Sequence, residues 1–265
     1  MLLDDPELSQ RGPGEEFAIA YARGGPATSV ELRASISDLF PPAKRRPRYT
    51  VRHLLKKAVI DSDEVTVYRE RAAEVSPGTA APEWDFEVGV AAVKVRTIRA
   101  SVPVPAPILA DPAALAAFVD FRLLVRLGTA ENEELLNGED GLLRLPGLRR
   151  HEPSGSLGER LLATTALCEW YGGSADGIVL HPDDWWPLVA TGLLERLATQ
   201  GVKVSRTRMI PAGSALVGDF TAAATLLDRK TSTIRLAEGV LTAEIREGLA
   251  VHLPGHFVLA SLREG

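Results

Sequence analysis

A single cysteine, Cys168, stands alone in 265 residues. No intrachain disulfide can form from it and no cysteine cluster can hold a metal, a composition that fits a reducing, cytoplasmic setting. Long apolar runs are missing too. The longest hydrophobic stretches are broken by Arg, Asp or Glu, and Asp4, Asp5 and Glu7 stand where a basic n-region and apolar core would begin a secretion signal. Neither a membrane span nor an export signal is predicted. Excess positive charge is also absent: the formal net charge is -5, which argues against a surface given over to coating nucleic acid, although one basic face can hide in an acidic average. What is present is enough apolar material, 45% of the chain, to bury a sizeable core in one large domain or two small ones.

Motifs for chemistry are scarce. His252 and His256 are four apart, but Pro254-Gly255 between them breaks the helix that would put both on one face as metal ligands. His181 precedes Pro182 and reads as a strand-end residue, with no nucleophile placed near it by a recognised motif. Cys168 beside Leu167 reads as a small buried thiol. Asp183-Asp184 suits a helix start, where carboxylates cap and complement the dipole. Gly172-Gly173 and the glycines from 138 to 147 match no phosphate loop or dinucleotide fingerprint. No catalytic, cofactor-binding or metal-ligating set is predicted.

Organisation along the chain is more informative. Residues 1–27, rich in Pro, Gly and acids, read as a mobile arm. Thr28-Ser29-Val30-Glu31 has the form of a capping box, with Leu32, Ile36 and Leu39 following on one face of an amphipathic helix that Pro41-Pro42 ends. From Lys44 to Lys57 come seven basic residues and no acidic one (Lys44, Arg45, Arg46, Arg48, Arg52, Lys56, Lys57), either a solvated linker or an inward-facing patch for nucleic acid or acidic cargo. Val65 and Val67 then alternate with Thr66 and Tyr68. After a Pro/Gly/Ala-rich turn the chain returns through Trp84, Phe86, Val88 and Val90 alternating with Asp85, Glu87 and Gly89. That is a long β-ribbon, marginal by itself in water, whose apolar face and edges need cover from the chain's own core or from a neighbouring subunit.

Strand character continues from Val93 to Val102, with Lys94 and Arg96 alternating, until Pro103, Pro105 and Pro107 stop pairing. Asp111-Pro112 caps a helix from Ala113 to Leu127 that is apolar on nearly every side, a buried spine whose exposed far end is marked by Glu131, Glu133 and Glu134 and closed by Asn137-Gly138. Ser154 or Ser156 caps a helix through Leu161, Leu162, Thr165 and Trp170. Gly177 to Leu180 is a buried strand, and Pro182 opens another helix. Strands follow over Ser214–Phe220, Thr233–Leu236, Leu241–Ile245 and Leu249–Leu259, the last interrupted at Pro254-Gly255. The class is α+β, with no internal repeat.

This order of parts resembles the Hong Kong 97-type capsid proteins of tailed phages and their cellular relatives, the encapsulins. The residues that carry the likeness are Tyr49 to Leu55 entering the ribbon and Trp84-Asp85-Phe86 leaving it, Asp111 before the spine helix, and Glu134 to Gly138 after it. Gly177-Ile178-Val179-Leu180-His181-Pro182-Asp183-Asp184-Trp185, Val217 to Phe220, and Glu244 to Val251 complete the set. The resemblance implies a Hong Kong 97-type fold with an extended β-ribbon loop, a peripheral domain carrying the long spine helix, and an axial domain. The divisions implied are 1–48 as amino-terminal arm, 49–93 as ribbon, 94–137 with 221–246 as peripheral domain, and 138–220 with 247–265 as axial domain. It implies a shell subunit and no enzyme. The partners are copies of itself in pentamers, with hexamers as an option, and an enclosed cargo protein, with nucleic acid in the phage alternative and no membrane. The interface would use Val65, Val67, Tyr68, Trp84, Phe86 and Val88 of the ribbon. An inner-face cargo contact would use Leu32, Ile36, Leu39, Arg45 and Arg46.

Two departures bear on what is expected. Some phage members join subunits through a Lys to Asn isopeptide bond, yet the ribbon tip Ser76 to Glu83 has no lysine, and Asn132 and Asn137, the only asparagines, flank the spine helix. No covalent cross-linking is expected. The connection between Trp186 and Val202 is shorter than in relatives. Phage subunits often begin with a scaffolding region that a protease removes, whereas only a short arm precedes the ribbon here and its amphipathic helix resembles the cargo-receiving helix of encapsulins. An encapsulin-like bacterial nanocompartment is therefore the favoured expectation, with a tailed-phage or prophage major capsid protein in a virion as the alternative. A soluble α/β enzyme and a small oligomeric binding module are the rivals from other classes.

Overall fold

The computed structural model describes residues 12–32, 50–71 and 87–263. Ile36, Leu39, Lys44, Arg45, Arg46, Arg48, Trp84 and Phe86 lie outside the described residues. The chain is α+β: two five-stranded sheets, each backed by helices, and a separate two-stranded ribbon.

The first sheet runs in the order β1 (Ser29–Leu32), β10 (Ala224–Ala237), β11 (Val240–Val251), β5 (Arg96–Pro103), with β2 (Lys56–Val59) parallel to the start of β10. Alternation sets its two faces. In β5, Ile98, Ala100 and Val102 are buried while Thr97, Arg99 and Ser101 are exposed, the pattern of an antiparallel sheet covered on one side. The cover is the spine helix. Asp111 caps it, its Oδ1 accepting from the N–H groups of Ala113 at 2.9 Å and Ala114 at 3.2 Å. The helix then runs through Pro112–Phe118, a π-helical turn at Val119–Leu123, and Leu124–Asn137. The wider turn brings Leu123 and Leu124, neighbours in sequence, both into the core with Leu115, Val119 and Leu127. Gly138 ends the helix, its N–H donating to Glu134 O at 3.0 Å.

Two amino-terminal expectations are corrected. Instead of a mobile arm through residue 27, Pro13–Gly24 forms a helix with Pro at its start, Glu15 and Glu16 in its first turn, and Phe17 fully buried against the spine. The helices touch closely: Gly14 N donates to Asp120 Oδ1 at 2.9 Å, and a Cβ on Gly14 would meet Ala116 O at 2.2 Å. Nor does Thr28 open a helix. Ser29–Leu32 is strand β1, antiparallel to β10, and Thr28 Oγ1 instead donates to Gly25 O at 2.7 Å. Leu32, expected at a cargo contact, is fully buried in the subunit's own core. Pairing with a long, already buried strand outweighs a local capping signal.

The second sheet runs β6 (Arg149–His151), β12 (Phe257–Ser261), β9 (Ser214–Gly218), β7 (Gly177–Leu180), β8 (Lys203–Arg206). All four residues of β7 are buried, as expected of an apolar run covered on both faces. On one face lie the helices Leu157–Trp170, Pro182–Ala190 and Leu193–Thr199, closing over Ile178, Leu180, Ala215, Val217 and Val258. On the other, Val179, Leu216 and Phe257 meet Leu135 and Leu136 from the end of the spine helix, which links the two cores. Ser156 forms a capping box with Glu159, and His181 caps the next helix by accepting from Asp183 N at 3.2 Å. The expected division at 246/247 falls inside β11, which runs unbroken from Val240 to Val251.

Candidate subunit interface

The ribbon pairs β3 (Glu64–Glu70) with β4 (Val88–Lys94), Tyr68 opposite Val90 and Val67 opposite Ala91. Lys56–Val59, expected to belong to it, do not: they form β2, which joins the first sheet through β10. Because side chains alternate, this register splits the expected interface set between two faces. Val67 and Val93 turn inward and are buried against Leu227 and Ala250, with Val65 and Ala91 partly covered. Val67 is therefore packed on its own chain, and Val65 is half covered on the same face. The opposite face presents Thr66, Tyr68, Val88, Val90 and Ala92 to solvent, with Tyr68 73%, Val90 67% and Val88 52% exposed. Tyr68, Val88 and Val90 lie close together on that face as an exposed apolar patch.

The root of the ribbon is bonded to the body. Glu70 N donates to His252 O at 2.8 Å, and Arg69 Nε to Val251 O at 3.1 Å. The His252 ring lies between ribbon and sheet, Nδ1 3.1 Å from Tyr68 O and Nε2 3.1 Å from Thr225 Oγ1. A carbonyl only accepts, so Nδ1 carries the proton and the Thr225 hydroxyl donates to Nε2. Asp63 pairs with Arg246 at 2.9 Å and Arg229 at 3.6 Å. Farther out, Arg71 N donates to Glu87 O at 2.8 Å.

Behind the root is a buried charge cluster. Arg52, 1% exposed, donates through Nε to Glu131 Oε1 at 2.6 Å and through Nη2 to Glu247 Oε1, with Asp228 Oδ2 3.7 Å away. Val51 N donates to Asn132 Oδ1 at 3.0 Å. These contacts fasten the segment entering the ribbon to the spine helix, β10 and β11 at once. Burial holds the Glu247 carboxyl well above the usual carboxylate range. The charge of Glu131 adds to this and that of Arg52 partly offsets it. Two expectations change here: Arg52 belongs neither to a linker nor to a nucleic-acid patch, and Glu131 is buried. Both were within reach of the sequence. Arg52 sits among Val51, Leu54 and Leu55, and Glu131 falls on the same helical stripe as Leu124, Leu127 and Leu135.

Other candidates sit in structural roles. Cys168 is buried, its Sγ donating to His256 O at 3.3 Å, and burial pushes the thiol up to about 12. Asp184 Oδ2 accepts from Gly213 N at 2.7 Å. Among the described residues no group of three or more His, Cys, Asp or Glu could hold a metal ion, and no helix is long and apolar enough to cross a membrane.

Comparison with known proteins agrees with this architecture. The Phage capsid family matches residues 44–177. The major capsid protein of Enterobacteria phage HK97 is 25% identical over 240 residues, covering 80% of this chain and 61% of its own length, so the chain spans about three fifths of that curated relative. Among solved structures, the virus-like particle from Pyrococcus furiosus aligns with a TM-score of 0.59 at 14% identity, covering 82% of this chain and 93% of its own. The capsid of the empty GTA particle gives 0.56 at 15%, covering 80% and 89%. A chain from Mycobacterium phage Adephagia gives 0.52 at 15%, covering 77% and 84%. With a family match over half its length, the Hong Kong 97-type fold and structural neighbours that are shells, this chain belongs to the phage capsid family, a family of structural shell proteins.

Proposed function

We propose that copies of this chain close into an icosahedral shell, each laying the outward face of its ribbon on a neighbour. The carrying observation is that face: Tyr68, Val88 and Val90 lie exposed on a ribbon whose reverse side is already anchored to its own subunit. Covering them contributes on the order of 1–2 kcal/mol per side chain, repeated at every contact around the shell. Closure also covers strand edges that would otherwise recruit other chains. In this reading residues 94–137 with 221–251 form the peripheral domain, with most of the first sheet and the spine helix, and 138–220 with 252–265 the axial domain, with the whole second sheet.

For the contents, a capsid enclosing DNA is the leading reading, supported by the family match and the HK97 relative. Of the two sequence grounds for an encapsulin-like compartment, the short arm before the ribbon stands as read, while the helix expected to open at Thr28 is replaced by strand over Ser29–Leu32. The likeness to a virus-like particle keeps the compartment with cargo protein as the second reading. Electron microscopy of the purified protein tests the shell, with hollow closed particles expected and particles no larger than a hexamer overturning it. Nuclease-resistant DNA in shells isolated from the native host supports the capsid; a stoichiometric co-purified protein without DNA supports the compartment. Without a lysine at the ribbon tip the subunits are joined non-covalently, so a boiled denaturing gel gives a single band, and a ladder overturns that.

A further inference from the structure

Three carboxylates converge on one guanidinium behind the ribbon root. Arg52 reaches Glu131, Glu247 and Asp228, and all four side chains are at most 5% exposed, so full ionisation leaves two negative charges uncompensated among these groups. The carboxyls of Glu131 and Glu247 are also hydrogen-bonded to each other, which two such groups can be only when one of them holds a proton. The site is not sealed. A cleft of about 20 Å3, room for one water, leads to Glu247 between Lys94, Arg96, Glu134 and Asp140. The other charged groups on the surrounding elements have places of their own. Arg96 is held by Glu139 at 2.5 Å and Asp140 at 3.3 Å, Asp63 holds Arg246 and Arg229, His53 accepts from Thr50 N at 3.1 Å, and Lys57 lies on β2 beside Leu226.

Both ribbon strands leave from elements that touch this cluster. The turn Val51–His53, which carries Arg52, feeds β2 and then β3, while β4 runs into β5, where Arg96 lies opposite Glu247 on β11. The residues after Glu247 then carry the ribbon itself. A Cβ on Gly248 would meet Lys94 O at 3.1 Å, Ala250 packs with Val67 and Val93, and the carbonyls of Val251 and His252 accept from Arg69 and Glu70. We propose that a proton shared between Glu247 and Glu131 locks the ribbon root, and that its loss to water through the cleft loosens the Arg52 turn and both ribbon strands with it. The O–H bond of the Glu247 carboxyl breaks, water takes the proton, and two carboxylates are left facing each other with one guanidinium between them. Admitting water relieves that charge and parts the cluster. Burial raises the affinity of Glu247 for its proton, so the lock is closed at low pH and opens as pH rises through the raised value. What a loosened ribbon does to a shell rests on the shell reading; the lock belongs to a single subunit and is measured without shells.

The test is amide hydrogen exchange of the full chain from pH 5 to 9, at a concentration too low for shells, read by mass spectrometry and scaled for the intrinsic effect of pH on exchange. In wild type, protection over 50–60 and 64–70 is expected to fall at least about tenfold across that range while β7 keeps its protection. Glu247→Gln, which has no proton to lose there, is expected to hold its pH 5 protection throughout. Wild-type ribbon protection that is flat with pH, or that falls equally in Glu247→Gln, overturns the lock. A fall shared equally by β7 overturns it as well, because general destabilisation then explains the exchange. Should Glu247→Gln not fold, Glu247→Met replaces it, with the same flat profile expected and a wild-type fall overturning the lock. Electron microscopy that finds no shells overturns the shell reading alone.

Discussion

Replacing Arg52 by Met is the sharpest probe of the buried cluster. The substitution keeps the length and apolar stem of the side chain but removes the guanidinium from Glu131 and Glu247, which it contacts directly, and from Asp228 at 3.7 Å. All of these groups are nearly inaccessible, so water cannot replace the lost partner. Breaking a buried pair by removing one member costs about 3–5 kcal/mol. Against a total stability of about 5–15 kcal/mol, and with a urea dependence near 2 kcal/mol per molar, the unfolding midpoint falls by roughly 1.5–2.5 M. Arg52→Lys keeps the charge without the planar fork and falls between. Glu247 supplies the pH arm. Its folded pKa is raised, so its contribution is fully present below the ordinary value of 4.5 and is lost as pH rises through the raised value. Glu247→Gln removes that decline and flattens stability against pH above 4.5. Urea titrations between pH 4 and 8 measure both. An Arg52→Met midpoint within 0.3 M of wild type, taken as roughly the scatter of such titrations, would refute the reasoning.

The two ribbon faces separate assembly from folding. Tyr68→Asp leaves the melting midpoint near wild type and suppresses shells in sedimentation, while Val67→Asp, on the buried face, lowers melting. Gly177→Ala sets a Cβ about 2.3 Å from Phe220 Cδ2 in a fully buried site, costs about 1–3 kcal/mol, and lowers the melting midpoint by several degrees in calorimetry. Cys168, with its thiol pushed up to about 12, resists alkylation at pH 8 in native protein and reacts once urea unfolds the chain; rapid native labelling counts against the burial.

Local pattern by itself determined much of this protein. Asp111-Pro112 and Ser154 or Ser156 announce helix starts, the apolar run Gly177–Leu180 announces a buried strand, and alternation over 65–68 and 88–90 announces a ribbon, because caps and periods are written in adjacent residues. Tertiary structure decided the rest. Whether Val88 shares a face with Val67 or with Tyr68 depends on a register set across a turn. Ser29–Leu32 became strand because β10 offered a ladder from some two hundred residues away. The apolar neighbours of Arg52 are local, but its partners are not: Glu131, Asp228 and Glu247 converge on it from three distant elements, and charge counted along a chain carries no record of which charges meet in space.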